Sequence, residues 1–225
     1  TEPISIKKGQ TVVFGDPDIR SDDLVVGLTK PLPALDKNHQ HNFSVNDGQY
    51  LFDTIDVKDS HVVGRSRGDF LLLPRKGVNL PGSVYSEELQ LQICRDFIES
   101  VADLDVNGFG LSFIQSGNVV DTLRDITKNK VLVSKIENSE GLINAPSIIA
   151  RSDAVMIDRG DLAAEIGFGA LYNAVEKISR DTKSNGKPLI MATENLESMA
   201  VSDTPPESAV MSLAHCVSIG ADCIL

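Results

Sequence analysis

The chain has 225 residues, of which 41% are hydrophobic and 24% are charged, and its formal net charge is −11. This composition is typical of a folded globular protein and argues against intrinsic disorder. Nucleic acid is not an expected partner, because the chain is acidic and has no Lys/Arg-rich run. A membrane is not expected either, because no stretch reaches roughly 18 continuous apolar residues.

Residues 1–78 show the pattern of a small all-β domain. Short apolar and β-branched runs are separated by Gly, Asp, Asn and Pro, and they predict strands over Pro3–Ile6, Gln10–Phe14, Gln49–Ile55, His61–Gly64 and Asp69–Leu73. The segment Asn46–Gly48 predicts a tight turn. His39, His41 and His61 lack the carboxylate or Cys spacing of a metal site, so we do not interpret them as ligands.

Residues 79–225 alternate between helices and strands. An amphipathic helix is predicted from Ser86 to about Leu104. It is followed by strands over Phe109–Ile114, Val131–Lys135, Ala154–Ile157, Leu189–Ala192 and Cys223–Leu225, and by helices over Asn118–Asn129, Ser139–Ala150, Ala170–Ser184 and Glu207–Ser218. Successive β-α units predict a parallel sheet. Five strands are fewer than a closed barrel needs, so we predict an α/β fold: an incomplete (β/α) TIM-type barrel.

The three cysteines, Cys94, Cys216 and Cys223, have neither disulfide nor metal-ligand spacing. Each lies in an apolar context, which favours burial as a small hydrophobic residue. The first residues are too polar for a secretory signal. Together these features predict a protein of the reducing cytoplasm.

Two predicted strands end abruptly in charged residues. Val131–Asn138 carries Lys135 and Glu137 two positions apart, so both side chains should point to the same side of the strand. In Ala154–Asp161, Asp161 follows Gly160 and opens a helical-looking run, where backbone N–H groups favour an anion. This pattern suits a metal ion together with a carboxylate or phosphate substrate.

The same segments resemble the pyruvate kinase family. The motifs follow one another in that family's order: Ser134–Gly141, Arg159–Leu162, Lys187–Thr193, Leu196–Met199 and Gly220–Ile224, after Lys76–Gly82. The resemblance implies that residues 1–78 form the lid domain and that residues 79–225 form the later part of the barrel. The family's first barrel strands and C-terminal domain have no counterpart here. We therefore expect another polypeptide or an oligomer to cover the open barrel edges.

The resemblance also implies roles for individual residues. Lys135 and Thr193 would be catalytic, Glu137 and Asp161 would hold Mg²⁺ or Mn²⁺, and Gly160, Asp161 and Thr193 would bind the substrate, phosphoenolpyruvate or pyruvate. K⁺ is a further cofactor of the family, but its usual ligands belong to the strands without a counterpart.

Several positions depart from the family pattern. Gln115 stands in place of an arginine, Asp158 adds a carboxylate where the family has a small residue, and Glu194-Asn195 follows Thr193. In the next helix, Ser212 and His215 occupy positions of an Asp and an Asn. These changes put binding of ADP or ATP in doubt.

Three hypotheses follow. The favoured one is the glycolytic transferase reaction, phosphoryl transfer between phosphoenolpyruvate and ADP with a divalent cation. The second is a metal-dependent lyase that enolises pyruvate or decarboxylates oxaloacetate without a nucleotide. The third is a non-catalytic structural subunit of a larger assembly.

Overall fold

The computed structural model describes residues 2–29, 32, 42–46, 48–81, 86–193 and 195–225. His39, His41, Asp47 and Glu194 therefore lie outside the described residues. The chain divides into two compact units, Thr1–Ser86 and Glu87–Leu225. Among the helices of the described ranges, none combines the length and apolar character needed to cross a membrane.

Among its described residues the first unit contains strands and no helix, as expected for an all-β domain. Its strands are β1 (Ile4–Ile6), β2 (Thr11–Gly15), β3 (Leu24–Gly27), β4 (Phe43–Val45), β5 (Tyr50–Lys58), β6 (His61–Ser66), β7 (Phe70–Leu72) and β8 (Val78–Asn79). Six of them form a sheet in the order β3-β2-β6-β5-β4-β8, and β1 pairs with β7. Strands β3, β4 and β8 were not predicted, because they have only four, three and two residues, too few to show a clear alternation.

An aromatic cluster fills the core of this unit. Phe14, Phe43 and Phe52 are fully buried. The rings of Phe43 and Phe52 stack at 5.0 Å, and Phe14 meets Phe43 edge-on at 5.4 Å. Gly64 on β6 lies against this cluster, where an added Cβ would come within 2.5 Å of Phe43 Cζ.

The second unit contains a five-stranded parallel sheet with its connecting helices. The strands are β9 (Gly108–Leu111), β10 (Val131–Ile136), β11 (Ala154–Asp158), β12 (Leu189–Ala192) and β13 (Cys223–Ile224), and they lie side by side in chain order. The helices are α1 (Glu87–Ser100), α2 (Gly117–Thr127), α3 (Ser139–Ile143), α4 (Ala145–Arg151), α5 (Arg159–Ile166), α6 (Phe168–Ser184) and α7 (Glu207–Ser218), with a 3-10 helix at Glu197–Ala200. This architecture confirms the incomplete (β/α) barrel.

Some details of this unit differ from the sequence prediction. The single helix expected over Ser139–Ala150 is divided at Asn144, because Pro146 in the first turn of α4 has no N–H to continue the hydrogen bonds of α3. Helix α5 begins at Arg159, which places Asp161 in its first turn. The expected burial of all three cysteines is wrong for Cys223, which is exposed, and right for Cys216.

The core of the second unit explains the apolar character of its strands. Side chains of β10, β11 and β12 pack with those of α5 and α6 in one buried cluster that includes Ile136, Ile157, Leu162, Ile178 and Met191. Because the strands are parallel, their carboxyl ends all emerge at the same edge of the sheet. Polar residues that follow the strands are thereby brought together.

We predict that Gly64→Ala destabilises the first unit by about 1–3 kcal/mol, because the added methyl group overlaps the Phe43 ring in a closely packed core. Urea unfolding followed by circular dichroism measures the change. Gly68→Ala is the matched control, since among the described residues no atom beyond its chain neighbours lies within 4 Å of its added Cβ. Equal loss of stability in both variants would contradict the packing argument.

Candidate active site at the strand ends

The candidate site lies where β10, β11 and β12 end. Glu137 follows the last residue of β10, Asp158 is the last residue of β11, and Thr193 follows the last residue of β12. Asp158 also occupies the N-cap position of α5, which carries Gly160 and Asp161 in its first turn. The three strands pair with one another in the parallel sheet, which positions the residues at their ends.

Lys135 forms two ion pairs at this edge. Its Nζ lies 2.8 Å from Glu137 Oε2 and 3.1 Å from Asp158 Oδ2. The Lys135–Glu137 contact confirms that the two side chains point to the same side. Asp158 was identified from the sequence as an additional carboxylate, but its ion pair with Lys135 comes from the adjacent, parallel strand and was not predicted.

The site gathers three carboxylates. Ligand oxygens of Glu137, Asp158 and Asp161 all lie within 4.8 Å of one another. With all three ionised, the carboxylates and the Lys135 ammonium carry a net charge of −2 (three negative charges and one positive). A divalent cation would neutralise this charge, and hard oxygen ligands favour Mg²⁺ or Mn²⁺.

Glu137 is the most deeply buried member of this group. Its side chain has 0% exposure. Oε2 makes the ion pair with Lys135 but lacks an aligned hydrogen bond within the described residues. An oxygen in this state can accept a cation, so the donor set fits the metal that the sequence predicts.

The other oxygen of Glu137 is held by the backbone. Phe113 N–H donates to Glu137 Oε1 at an N···O distance of 2.5 Å. Phe113 has φ of 54°, a left-handed conformation that non-glycine residues adopt rarely. The turn after β9 therefore points a backbone donor at the carboxylate.

Burial raises the pKa of Glu137 to about 7, although the Lys135 ammonium and the Phe113 N–H oppose the increase. Burial acts to lower the pKa of Lys135, but the adjacent Glu137 and Asp158 carboxylates outweigh it and raise that pKa. Lys135 is therefore a permanent cation at neutral pH, whereas Glu137 exchanges its proton near neutrality.

Thr193 and α5 are linked by hydrogen bonds. Gly160 N–H donates to Thr193 Oγ1 at 3.1 Å, and the Thr193 hydroxyl donates to Ala192 O at 2.7 Å. Thr193 has φ of 67°, which is rare for a β-branched residue. A substrate carboxylate at Gly160 N–H would have to share that donor with the Thr193 hydroxyl.

Arg159 secures the end of β12. Its guanidinium donates to Thr193 O at 2.5 Å, to Asn195 Oδ1 at 2.7 Å and to Ser212 Oγ at 2.6 Å on α7. These contacts hold the strained Thr193 backbone beside α5. This role of Arg159 was not predicted, because no local sequence pattern reveals a network that joins three separate segments.

The structure thus brings Lys135, Glu137 and Asp161 into one site with Asp158. It joins Gly160 to Thr193 through a direct hydrogen bond. His215, one of the departures noted above, pairs with Glu176 at 2.9 Å and stacks on Tyr172. It therefore has a local structural partner on α6. The roles of the predicted site residues remain predictions.

Comparison with known proteins identifies related chains. The family profile described as "Pyruvate kinase, barrel domain" matches residues 1–225. Over its whole length the chain is 30% identical to a cytosolic pyruvate kinase isozyme of Nicotiana tabacum, covering 46% of that protein, and 28% identical to a pyruvate kinase of Thermotoga maritima, covering 49%. The crystal structure of a pyruvate kinase from Cryptosporidium parvum superimposes on 99% of the chain and 48% of that structure, with a TM-score of 0.78 and 28% identity. The chain spans about half the length of these relatives.

We predict that Glu137 makes the protein less stable as pH rises from about 5 to 7. Its folded-state pKa of about 7 lies above the ordinary glutamate pKa of 4.5, so the native state binds more protons than the unfolded state in this range. Free energies of unfolding in urea, measured at several pH values with a chelator present, should fall more steeply for the wild type than for Glu137→Gln.

The control for this measurement is Glu207→Gln, which makes the same charge change at an exposed position on α7. It should keep the pH slope of the wild type. Parallel slopes in the wild type and Glu137→Gln would show that Glu137 is not the titrating group.

Proposed function

The chain belongs to the pyruvate kinase family, and on that basis we propose that its site catalyses divalent-cation-dependent phosphoryl transfer between phosphoenolpyruvate and ADP. The observation that carries the proposal is the Lys135 ammonium held 2.8 Å from Glu137 Oε2, in a group of carboxylates that includes Asp161. Such a site offers positive charge where the phosphoryl group leaves and the enolate forms.

Glu137 and Asp161 would hold Mg²⁺ or Mn²⁺, and Asp158 is close enough to contribute a third oxygen. When bound, the cation supplies Lewis-acid charge to phosphoryl and enolate oxygens. A role for K⁺ follows from family membership alone.

Lys135 would stabilise charge on the transferring phosphoryl group. In this reaction the P–O bond to the C2 oxygen of phosphoenolpyruvate breaks, a P–O bond to ADP forms, and the enolate takes a proton at its methylene carbon. Lys135 acts as a preorganised cation, because its two ion pairs fix the ammonium before substrate arrives.

Thr193 would assist the final proton transfer. Its hydroxyl donates to Ala192 O, so it must rotate, or act through a water molecule, to reach the enolate carbon. The N–H groups of Gly160 and Asp161, in the first turn of α5, would bind the substrate carboxylate.

One observation favours a second candidate function. Asp158 lies 3.1 Å from Lys135 Nζ and partly neutralises its positive charge. A highly charged phosphate ester would need that charge for binding. A lyase acting on oxaloacetate needs less positive charge. In oxaloacetate decarboxylation the C3–C4 bond breaks and CO₂ leaves. The electrons of that bond form an enolate with negative charge on the C2 oxygen, and a proton then adds at C3.

The chain's wider context is also a proposal. We assign residues 1–78 as the lid domain and residues 79–225 as part of the barrel of a cytoplasmic protein. Strands β9 and β13 are the edges of the parallel sheet. We propose that further polypeptide, from a longer product or from another subunit, pairs with these edges, because exposed strand edges promote aggregation.

We predict that Lys135→Met lowers kcat by about 10²–10³-fold, the loss expected when one preorganised electrostatic contact to a developing oxyanion is removed. Pyruvate formation from phosphoenolpyruvate and ADP, and from oxaloacetate alone, would be measured with Mg²⁺ present. Lys177→Met is the control, because Lys177 also pairs with an aspartate, Asp181 at 2.9 Å, but lies far more exposed on α6. Unchanged turnover in Lys135→Met would overturn both candidate reactions.

We predict that Asp158→Ala shifts the balance between the two reactions. Removing this carboxylate frees positive charge at Lys135, so phosphoenolpyruvate turnover should rise relative to oxaloacetate decarboxylation. Asp158→Asn removes the charge and keeps the shape, and should act in the same direction. A fall in phosphoenolpyruvate turnover in both variants would instead make Asp158 part of the phosphoryl-transfer site.

A further inference from the structure

Gln90 is an unusual residue in the core of the second unit. It lies on α1 with 7% exposure, while most polar positions of that helix are exposed. Its Nε2 donates to Phe113 O at 2.5 Å, and Ser112 O lies 3.4 Å from the same atom. Both carbonyls belong to the turn that follows β9. The side chain therefore joins α1 to that turn.

The turn in question is the one that holds Glu137. Phe113 adopts the left-handed φ of 54°, and its N–H donates to Glu137 Oε1 at 2.5 Å. A non-glycine residue in this conformation is strained and persists only where neighbouring contacts hold it. The Gln90 amide supplies such a contact on the carbonyl side of the same residue.

Further contacts fix the residues that follow Phe113 in the turn. Asn144 Nδ2 donates to Gln115 O at 2.8 Å. An added Cβ on Gly141 would come within 2.5 Å of Ile114 O, so α3 packs directly against the backbone there. Gln90 thus contacts the Phe113 carbonyl, while α3 and Asn144 contact the residues after it.

Burial of the Gln90 amide also has an energetic penalty that packing alone does not explain. Its Oε1 is buried and has no hydrogen-bond partner within the described residues. A buried unsatisfied oxygen is destabilising, and an apolar side chain of similar size would avoid that penalty. The Nε2 donor of the same amide contacts the turn that holds Glu137.

We propose that Gln90 is a positioning residue that acts through the Phe113 peptide to orient Glu137. Nε2 anchors the Phe113 carbonyl, the anchored peptide keeps its left-handed conformation, and the Phe113 N–H then fixes Glu137 Oε1. This leaves Oε2 directed toward Lys135, in the group shared with Asp158 and Asp161. The functional value of this orientation rests on the cation-binding role proposed above, but the orientation itself does not.

The test uses hydrogen exchange at the Phe113 amide, measured by NMR on the whole chain without metal. Gln90→Met removes the donor and keeps the side-chain size. Exchange at Phe113 should become about tenfold faster, in line with the loss of a hydrogen bond worth about 1.4 kcal/mol, while amides within α1 and β9 keep their protection. Gln92→Met on the same helix is the matched control, since Gln92 is exposed and contacts Asp96.

A second variant and a second readout keep the test decisive. Gln90→Asn retains an amide but withdraws it by one carbon, and it should also accelerate exchange at Phe113. Titration with Mn²⁺ followed by electron paramagnetic resonance should show severalfold weaker binding in both Gln90 variants. Exchange at Phe113 within twofold of the wild type in the folded variants would overturn the proposal. So would an equal rise at all amides of α1 and β9, which indicates a structural role only.

The two arms separate this inference from the proposed function. Faster exchange at Phe113 together with no Mn²⁺ binding by the wild type would retain the positioning of Glu137 and remove the cation. If the wild type binds Mn²⁺ and exchange at Phe113 is unchanged in the Gln90 variants, the cation site is retained and the positioning role of Gln90 is removed.

Discussion

The site depends on a single buried ion-pair group, in which Lys135 lies between Glu137 and Asp158. Burying a carboxylate without compensation costs several kcal/mol, and breaking a buried pair is strongly destabilising. One ammonium cannot balance three carboxylates, so the group keeps a negative charge that a divalent cation can neutralise. The ion pairs that stabilise buried Glu137 therefore also hold carboxylate oxygens where a cation could bind.

Backbone strain at the strand ends gives this group its shape. Phe113 and Thr193 both adopt left-handed φ angles where β9 and β12 give way to loops. Each is held by a side chain from another element, Phe113 by Gln90 and Thr193 by Arg159. Strained residues of this kind concentrate at functional sites, because the surrounding structure must determine their positions. The rigid sheet and these two contacts together fix donors and carboxylates in one small volume.

Much of this arrangement could be predicted from the sequence. The spacing of Lys135 and Glu137 showed that they face the same side, and the β-α alternation indicated a parallel sheet whose strand ends converge. The contact of Asp158 with Lys135 depends on the register between β10 and β11, which local patterns do not reveal. Gln90 gave no signal, because a glutamine on an amphipathic helix is usually exposed. The division between α3 and α4 was missed although Pro146 marks it.

The most direct test of the account is calorimetric titration of the chain with oxalate, an enolpyruvate mimic, with and without Mg²⁺. Binding should require Mg²⁺ and disappear in Asp161→Asn, because the cation and the substrate oxygens would share the site of Glu137 and Asp161. Failure to bind oxalate in the presence of Mg²⁺, or binding that is the same without the cation, would contradict a functional metal site in this chain.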